Sequence, residues 1–169
     1  VDIDFEYILA QDRDAFTAFV GQVTETMRAY GYETSVALAP KTSADQKGLL
    51  YEGKDYRAIG EVADYVLLMT YEWGYTYGPP MAVAPINQVR RVVEYAVTEI
   101  PPEKINLGIP NYAYDWPLPF ERGVTAARTI NNVQAVRIAI EQGANIEFDM
   151  LAKSPYFNYI QDSVEHEVW

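Results

Sequence analysis

The sequence contains no cysteine and a single histidine among its 169 residues. Without cysteine the chain cannot form disulfides, Cys-ligated zinc sites or a thiol nucleophile. A Ser-His-Asp triad would depend entirely on His166, because a triad needs an imidazole as its base. We predict that His166 lies in the core or at its rim and takes no part in catalysis.

Positive charge is also scarce: the chain has 13 Lys and Arg but 24 Asp and Glu, which gives a net charge of -11. Such a chain repels nucleic acid phosphates and anionic lipid headgroups, which argues against both as partners and favours neutral ligands. No apolar run reaches the roughly 18 residues of a membrane span. No basic-then-apolar leader opens the chain either.

Aromatic residues, in contrast, make up 14% of the chain, including 14 Tyr and three Trp. Most of these rings are expected to fill the core of a single globular domain, for which 49% hydrophobic residues are sufficient. The remaining rings would suit a surface that stacks on sugar rings.

Period-two and helical apolar patterns alternate along the chain. They predict helices at 12–30, 49–63, 86–100 and 130–142, and strands at 1–9, 34–39, 65–70, 105–109, 146–150, 156–160 and 167–169. This order indicates a parallel α/β sheet, either open or closed into a barrel, and the absent G-x-G-x-x-G fingerprint argues against the open nucleotide-binding form. Because about five βα units are present and a complete barrel has eight, we interpret the chain as part of a (β/α)8 TIM barrel whose first strands precede Val1.

Three acidic residues, Asp2, Asp4 and Glu6, alternate along the first predicted strand and would share one of its faces. In a partly buried site such neighbours cannot all ionise freely, so one of them is expected to hold a proton, as a general acid must. Glu6 would lie at the carboxyl end of its strand, where the catalytic residues of barrel enzymes lie. The alternative is an exposed acidic stripe without function.

The same D-x-D-x-E string could suggest calcium. It lacks the loop glycine and the spacing of an EF-hand, and a strand presents too few oxygens to encircle the ion. We therefore predict no metal site and no cofactor.

Two ordered motifs resemble a known family. D-x-D-x-E followed by Tyr7 resembles the second half of the D-G-x-D-x-D-x-E signature on the fourth barrel strand of glycoside hydrolase family 18, the chitinase-like enzymes. Met69-Thr70-Tyr71-Glu72 resembles the M-x-Y-D motif of its sixth strand. Trp169 stands where the family places an eighth-strand Trp beneath the sugar. The segments M-T-Y-E-W-G, G-I-P-N-Y-A-Y-D-W and H-E-V-W resemble the spore cortex-lytic and spore germination branch.

The chain also departs from the family pattern. Phe5 stands where many chitinases have Trp, and Glu72 stands where most have Asp. The segment between Tyr112 and Ile130 is too short for the small α+β insertion of many chitinases, so a shallower cleft is implied.

The resemblance runs from about strand four to strand eight and implies that the chain is the C-terminal part of the TIM barrel. It also implies a role for each matching residue. Glu6 would act as general acid and base, Asp4 would bind the acetamido N–H, Asp2 would share a proton with Asp4, and Tyr71 would donate to the acetamido oxygen, so that the substrate's own acetamido group is the nucleophile. Further substrate contacts are expected from Met69, Glu72, Trp73, Asn111, Tyr112, Trp116 and Trp169.

The implied activity is hydrolysis of β-1,4 N-acetylglucosaminyl bonds in peptidoglycan, with spore cortex fragments as substrate and chitin oligomers as a second substrate class. Family relatives of this branch usually carry LysM modules ahead of the barrel, which are expected outside residues 1–169, and an extracytoplasmic or spore-associated location is implied. The alternatives are a non-catalytic, lectin-like member of the family and a fragment that is inactive alone because its sheet edge is open. The sequence carries no signal for an oligomeric state.

Overall fold

A computed structural model describes all residues from Val1 to Trp169. The chain forms two compact units, one made of Val1–Thr70 and Arg90–Gly108, the other of Tyr71–Val89 and Ile109–Trp169.

The first unit contains a parallel sheet. Its four strands run in the order of the chain and pair in parallel throughout, as Asp2–Ile3 (β1), Ser35–Leu38 (β2), Tyr65–Leu68 (β3) and Ile105–Leu107 (β4). The central strands are short apolar runs, typical of strands covered on both faces. Their side chains Val36, Leu38, Val66 and Leu68 are buried.

Helices connect these strands. They are Arg13–Ala29 (α1), Tyr56–Val62 (α2) and Ile86–Glu99 (α3), of which Arg90 onward belongs to this unit. In α1, Phe16, Val20 and Thr24 recur every four residues and therefore form one buried face. Asp55 caps α2 by accepting a hydrogen bond from the backbone N–H of Ala58.

The second unit is built on an antiparallel sheet with the strand order β6-β5-β9-β8-β7. Its strands are Tyr112–Leu118 (β5), Arg128–Asn131 (β6), Glu147–Asp149 (β7), Ser154–Gln161 (β8) and Val164–Val168 (β9). The helix Asn132–Gln142 (α4) begins at a capping box between Asn131 and Gln134 and ends at Gly143, whose φ of 65° is the left-handed conformation that glycine adopts without strain. Ala139 of this helix is buried in one core cluster with Ile130 and Phe157.

The predicted strand over 1–9 is wrong beyond its first residues, because β1 ends at Ile3. The chain leaves the sheet and turns at Tyr7, which has a φ of 57°. It then passes so close to Gly53 that a Cβ there would lie 2.0 Å from the carbonyl oxygen of Ile8. A glycine at position 53 is therefore required by this close approach.

The α/β class is confirmed, but the prediction of parallel strands throughout is wrong, and the chain forms no closed barrel. Strand β5 lies in a segment for which we predicted no element, and β6 overlaps the first two residues of the helix predicted at 130–142. Strands β8 and β9 form a hairpin because Asp162 and Ser163 both adopt positive φ, 51° and 64°, as in the turns that reverse a chain within two residues.

None of the four helices combines the length and the apolar character that crossing a membrane requires.

Candidate functional site

The three predicted catalytic acids lie at and just after β1 in the first unit. Asp2 accepts a hydrogen bond from the Ser35 hydroxyl on the adjacent strand, and Asp4 and Glu6 follow where the sheet pairing ends. All three acids are exposed in this structure. The expectation of a partly buried acidic site is therefore not met by the residues described, and their catalytic roles stay predictions.

A buried cation lies close to this acidic segment. Lys54 is only 3% exposed, and its ammonium donates a hydrogen bond to the carbonyl oxygen of Ala37 at 2.7 Å. Burial lowers the pKa of Lys54, while the charges of Asp4 and Glu6 act in the opposite direction. The burial of Lys54 was not predicted from the sequence, because a lysine side chain normally points into water.

The side chain of Phe5, which lies between Asp4 and Glu6, packs onto α1. Its ring stacks on Phe19 with a centroid distance of 5.7 Å and lies 6.3 Å from the ring of Phe16. These aromatic contacts anchor the end of the acidic segment where backbone pairing has stopped.

In the second unit, predicted site residues from three distant parts of the chain meet at one core cluster. The cluster consists of Val83, Tyr114, Trp116 and Ala127, and Tyr71, Tyr112 and Trp169 pack against it. The structure thus brings together the predicted acetamido donor Tyr71, two predicted substrate contacts, Tyr112 and Trp116, and the predicted sugar platform Trp169 within this unit.

Glu72 follows Tyr71 and is held in an unusual conformation. Its φ of 68° is rare for a non-glycine residue. Its carboxylate accepts hydrogen bonds from the hydroxyl of Tyr112 at 2.5 Å and from that of Tyr114 at 3.0 and 3.1 Å. Burial, and to a lesser extent the hydrogen bond to the Glu72 carboxylate, raises the pKa of Tyr112 and Tyr114. Both hydroxyls therefore remain protonated donors.

The indole of Trp169 is fixed on two sides. It stacks on Tyr156 at a centroid distance of 4.7 Å and an interplanar angle of 16°. Its Nε1 donates to a carboxylate oxygen of Glu167 at 2.6 Å. An aromatic surface held this way is suited to stacking on the apolar face of a sugar ring.

An apolar cavity of about 540 Å³ adjoins this tryptophan within the second unit. Tyr112, Tyr156, Phe157 and Trp169 line it together with small, aliphatic and uncharged polar side chains, and Lys153 is its one charged residue. The lining favours a neutral ligand.

Trp116 is the predicted substrate contact that the structure places in the interior. It is fully buried, and its indole N–H donates to the carbonyl oxygen of Gly78 at 2.7 Å. No face of the ring is open to a ligand, because Trp116 lies on strand β5 and packs into the core. Trp116 therefore supports the site from the interior.

The other predicted contacts are spread over both units. Met69 lies in the first unit just after β3, where its backbone N–H bonds the carbonyl oxygen of Leu38. Trp73 and Asn111 belong to the second unit, the former half-buried and the latter exposed before β5.

The second unit contains a charged network that was not predicted from the sequence. The buried carboxylate of Asp115 accepts hydrogen bonds from Arg128 and Tyr159, both at 2.8 Å, and lies 2.9 Å from Nδ1 of His166. The ring of His166 stacks on Tyr159 and is partly buried, at the rim of the core. Across the chain, no three His, Asp or Glu side chains are grouped so that they could hold a metal ion.

The sequence matches the family described as Glycosyl hydrolases family 18 over residues 1–169. It is 49% identical to the Bacillus subtilis (strain 168) cortical fragment-lytic enzyme over all of this chain and 39% of that protein. The crystal structure of the Bacillus cereus spore cortex-lytic enzyme SleL superposes with a TM-score of 0.94 at 42% identity, over 99% of this chain and 39% of that one. A Chromobacterium violaceum chitinase superposes with a TM-score of 0.90 at 28% identity, over 99% of this chain and 52% of that one.

The chain spans 39% of the length of that curated relative. The match to the family nevertheless runs from the first residue to the last. On that ground, the chain belongs to glycosyl hydrolase family 18.

Proposed function

We propose that this chain is part of a glycosidase that hydrolyses β-1,4 N-acetylglucosaminyl bonds in peptidoglycan, with spore cortex fragments as substrate. The observation that carries the proposal is the D-x-D-x-E segment ending at Glu6, within a chain that matches family 18 throughout. Its 49% identity to a cortical fragment-lytic enzyme supports the choice of glycan. A spore-associated or extracytoplasmic location follows from that substrate.

The proposed architecture is part of a (β/α)8 barrel. The four parallel strands of the first unit, in chain order and joined by helices, are the support for it. In such a barrel the carboxyl ends of the strands carry the chemistry, and Glu6 follows the carboxyl end of β1.

The proposed reaction uses the substrate as its own nucleophile. The acetamido carbonyl oxygen attacks the anomeric carbon while Glu6 gives its proton to the departing glycosidic oxygen. Asp4 accepts the acetamido N–H and stabilises the resulting oxazolinium ion, and Asp2 shares a proton with Asp4. Water then attacks the anomeric carbon as Glu6 takes up its proton, which restores the acetamido group and retains the anomeric configuration.

Tyr71 and Trp169 are proposed to bind the reacting sugar. Tyr71 would donate its hydroxyl to the acetamido oxygen, and Trp169 would form the floor beneath the ring. Their packing against the same core cluster supports this pairing.

The test is the substitution Glu6→Gln, which keeps the shape of the side chain and removes the transferable proton. We expect release of the reporter group from an N-acetylglucosaminyl substrate by the full-length protein to fall by about 10² to 10⁴-fold. The thermal unfolding midpoint should not change, because Glu6 is exposed.

Glu61→Gln is the matched control, because Glu61 is an exposed glutamate of α2 in the same unit. Its activity should equal that of the unsubstituted protein. Equal rates for Glu6→Gln and Glu61→Gln would refute the role of Glu6. Absence of hydrolysis by the unsubstituted full-length protein would instead favour the lectin-like alternative.

A chitin oligomer hydrolase is the second candidate, favoured by the superposition on a chitinase at 28% identity. Mass spectrometry of the products from cortex fragments and from chitin oligomers, digested in parallel, separates the two. Faster cleavage of the chitin oligomers would favour the second candidate.

A further inference from the structure

Tyr114 contacts both Glu72 and Trp169, the first through its side chain and the second through its backbone. Its backbone exchanges both hydrogen bonds with Trp169, at 2.8 Å from its own N–H and 3.0 Å from the N–H of Trp169. Its hydroxyl shares one proton between the two carboxylate oxygens of Glu72, at 3.0 and 3.1 Å. One buried residue of β5 is therefore bonded both to Glu72, which we call the acidic turn, and to Trp169, which we call the aromatic platform.

The acidic turn needs such support. A non-glycine residue with a φ of 68° is held against its intrinsic preference, which persists only when surrounding contacts determine the conformation. The hydroxyls of Tyr112 and Tyr114 donate charge-assisted hydrogen bonds to the Glu72 carboxylate, and these bonds supply that restraint. Tyr71 immediately precedes this turn, so its direction depends on the same restraint.

We propose that Tyr114 is a positioning residue that holds the Tyr71–Glu72 turn and the Trp169 indole in fixed register, so that a carboxylate and an aromatic face meet one amino sugar together. The inference rests on the proposed function and adds a residue to it. Its physical basis is preorganisation: a site whose polar and apolar contacts are locked before binding loses less conformational freedom when the ligand arrives.

A merely structural role is the competing explanation, because any buried tyrosine hydroxyl bonded to a carboxylate contributes to folding. Tyr159 offers the matched control. It is buried in the same unit, lies on β8, and donates to the Asp115 carboxylate at 2.8 Å. Tyr114→Phe and Tyr159→Phe therefore remove equivalent hydrogen bonds, and only the first touches the proposed sugar site.

The experiment measures binding of a thiazoline mimic of the cyclised intermediate to the full-length protein by titration calorimetry, with urea unfolding alongside. We expect both substitutions to lower stability similarly. Tyr114→Phe should weaken mimic binding by about tenfold, because the restraint on a charged group is lost, while Tyr159→Phe should change it by less than about twofold.

A double-mutant cycle that combines Tyr114→Phe with Glu72→Gln measures the coupling of the two residues in mimic binding. A general loss of stability does not produce such coupling. If Tyr114 acts through Glu72, its removal should cost little further affinity once Glu72→Gln is present. Additive losses, or equal effects of Tyr114→Phe and Tyr159→Phe on a mimic that the unsubstituted protein binds, would overturn the inference alone. Failure of the unsubstituted protein to bind the mimic would overturn the proposed function together with it.

Discussion

Asp115 shows how much one buried carboxylate organises in this protein. It lies on β5, is 2% exposed, and is bonded by Arg128 on β6 and Tyr159 on β8, with His166 of β9 at its second oxygen. A buried charge is tolerated only when partners replace its lost hydration, and here the partners come from three other strands. The network therefore fixes the relative register of four strands.

Replacing this carboxylate should destabilise the second unit strongly. We expect Asp115→Ala to lower the free energy of unfolding by about 3 kcal/mol, because the buried donors of Tyr159 and His166 lose their acceptor. Urea denaturation measures the change. Glu165→Ala on the neighbouring β9, where the side chain is exposed, should stay within about 0.5 kcal/mol. A loss as small for Asp115→Ala as for this control would contradict the network's role.

Local sequence signals explain where the secondary elements begin and end. Helix α4 starts at a reciprocal pair in which Asn131 accepts from the N–H of Gln134 at 2.8 Å and the Gln134 side chain accepts from the N–H of Asn131 at 2.9 Å. These bonds satisfy backbone donors that the first turn of any helix leaves free.

Removing the cap should therefore weaken the helix. We expect Asn131→Ala to lower the free energy of unfolding by about 1 kcal/mol, as measured by urea denaturation. Asn132→Ala, one residue later and already inside the helix, should leave stability unchanged or raise it slightly, because alanine is the best helix former. The opposite ranking of the two variants would show that Asn131 is not the cap in solution.

Buried tyrosine hydroxyls in both units couple the stability of the protein to alkaline pH. Burial raises the pKa of Tyr56 in the first unit and of Tyr159 in the second. The folded state then holds these protons more tightly than the unfolded state, whose tyrosines titrate near about pH 10. The stabilisation is full below that pH and is lost as the pH rises through the raised folded-state values.

We expect the free energy of unfolding to fall steeply between about pH 10 and pH 11.5, measured by urea denaturation at closely spaced pH values. The double substitution Tyr56→Phe and Tyr159→Phe should flatten this slope. Tyr30→Phe, which removes a hydroxyl from a ring that is 75% exposed, should not. If the pH dependence of the free energy of unfolding is unchanged in the double variant, groups other than Tyr56 and Tyr159 cause the alkaline destabilisation.

Local patterns were enough to predict several features of this protein. The apolar spacing of Phe16 and Val20 predicts α1 almost to its ends, 12–30 against the observed Arg13–Ala29. The short apolar runs predict β2 and β3. The ordered D-x-D-x-E and M-T-Y-E motifs predict family 18, and the match over residues 1–169 confirms it. These signals are local because turns, caps and amphipathic faces depend on residues a few positions apart.

Long-range packing determined the rest. The bond between Tyr114 and Glu72 spans 42 positions and the one between Asp115 and His166 spans 51, so no window of sequence contains either pair. The same packing made Trp116 a core residue, buried Lys54, and formed strand β5 in a segment for which no element was predicted. Burial depends on which distant segments fold onto a residue, and a linear sequence carries that information only through the fold that it forms.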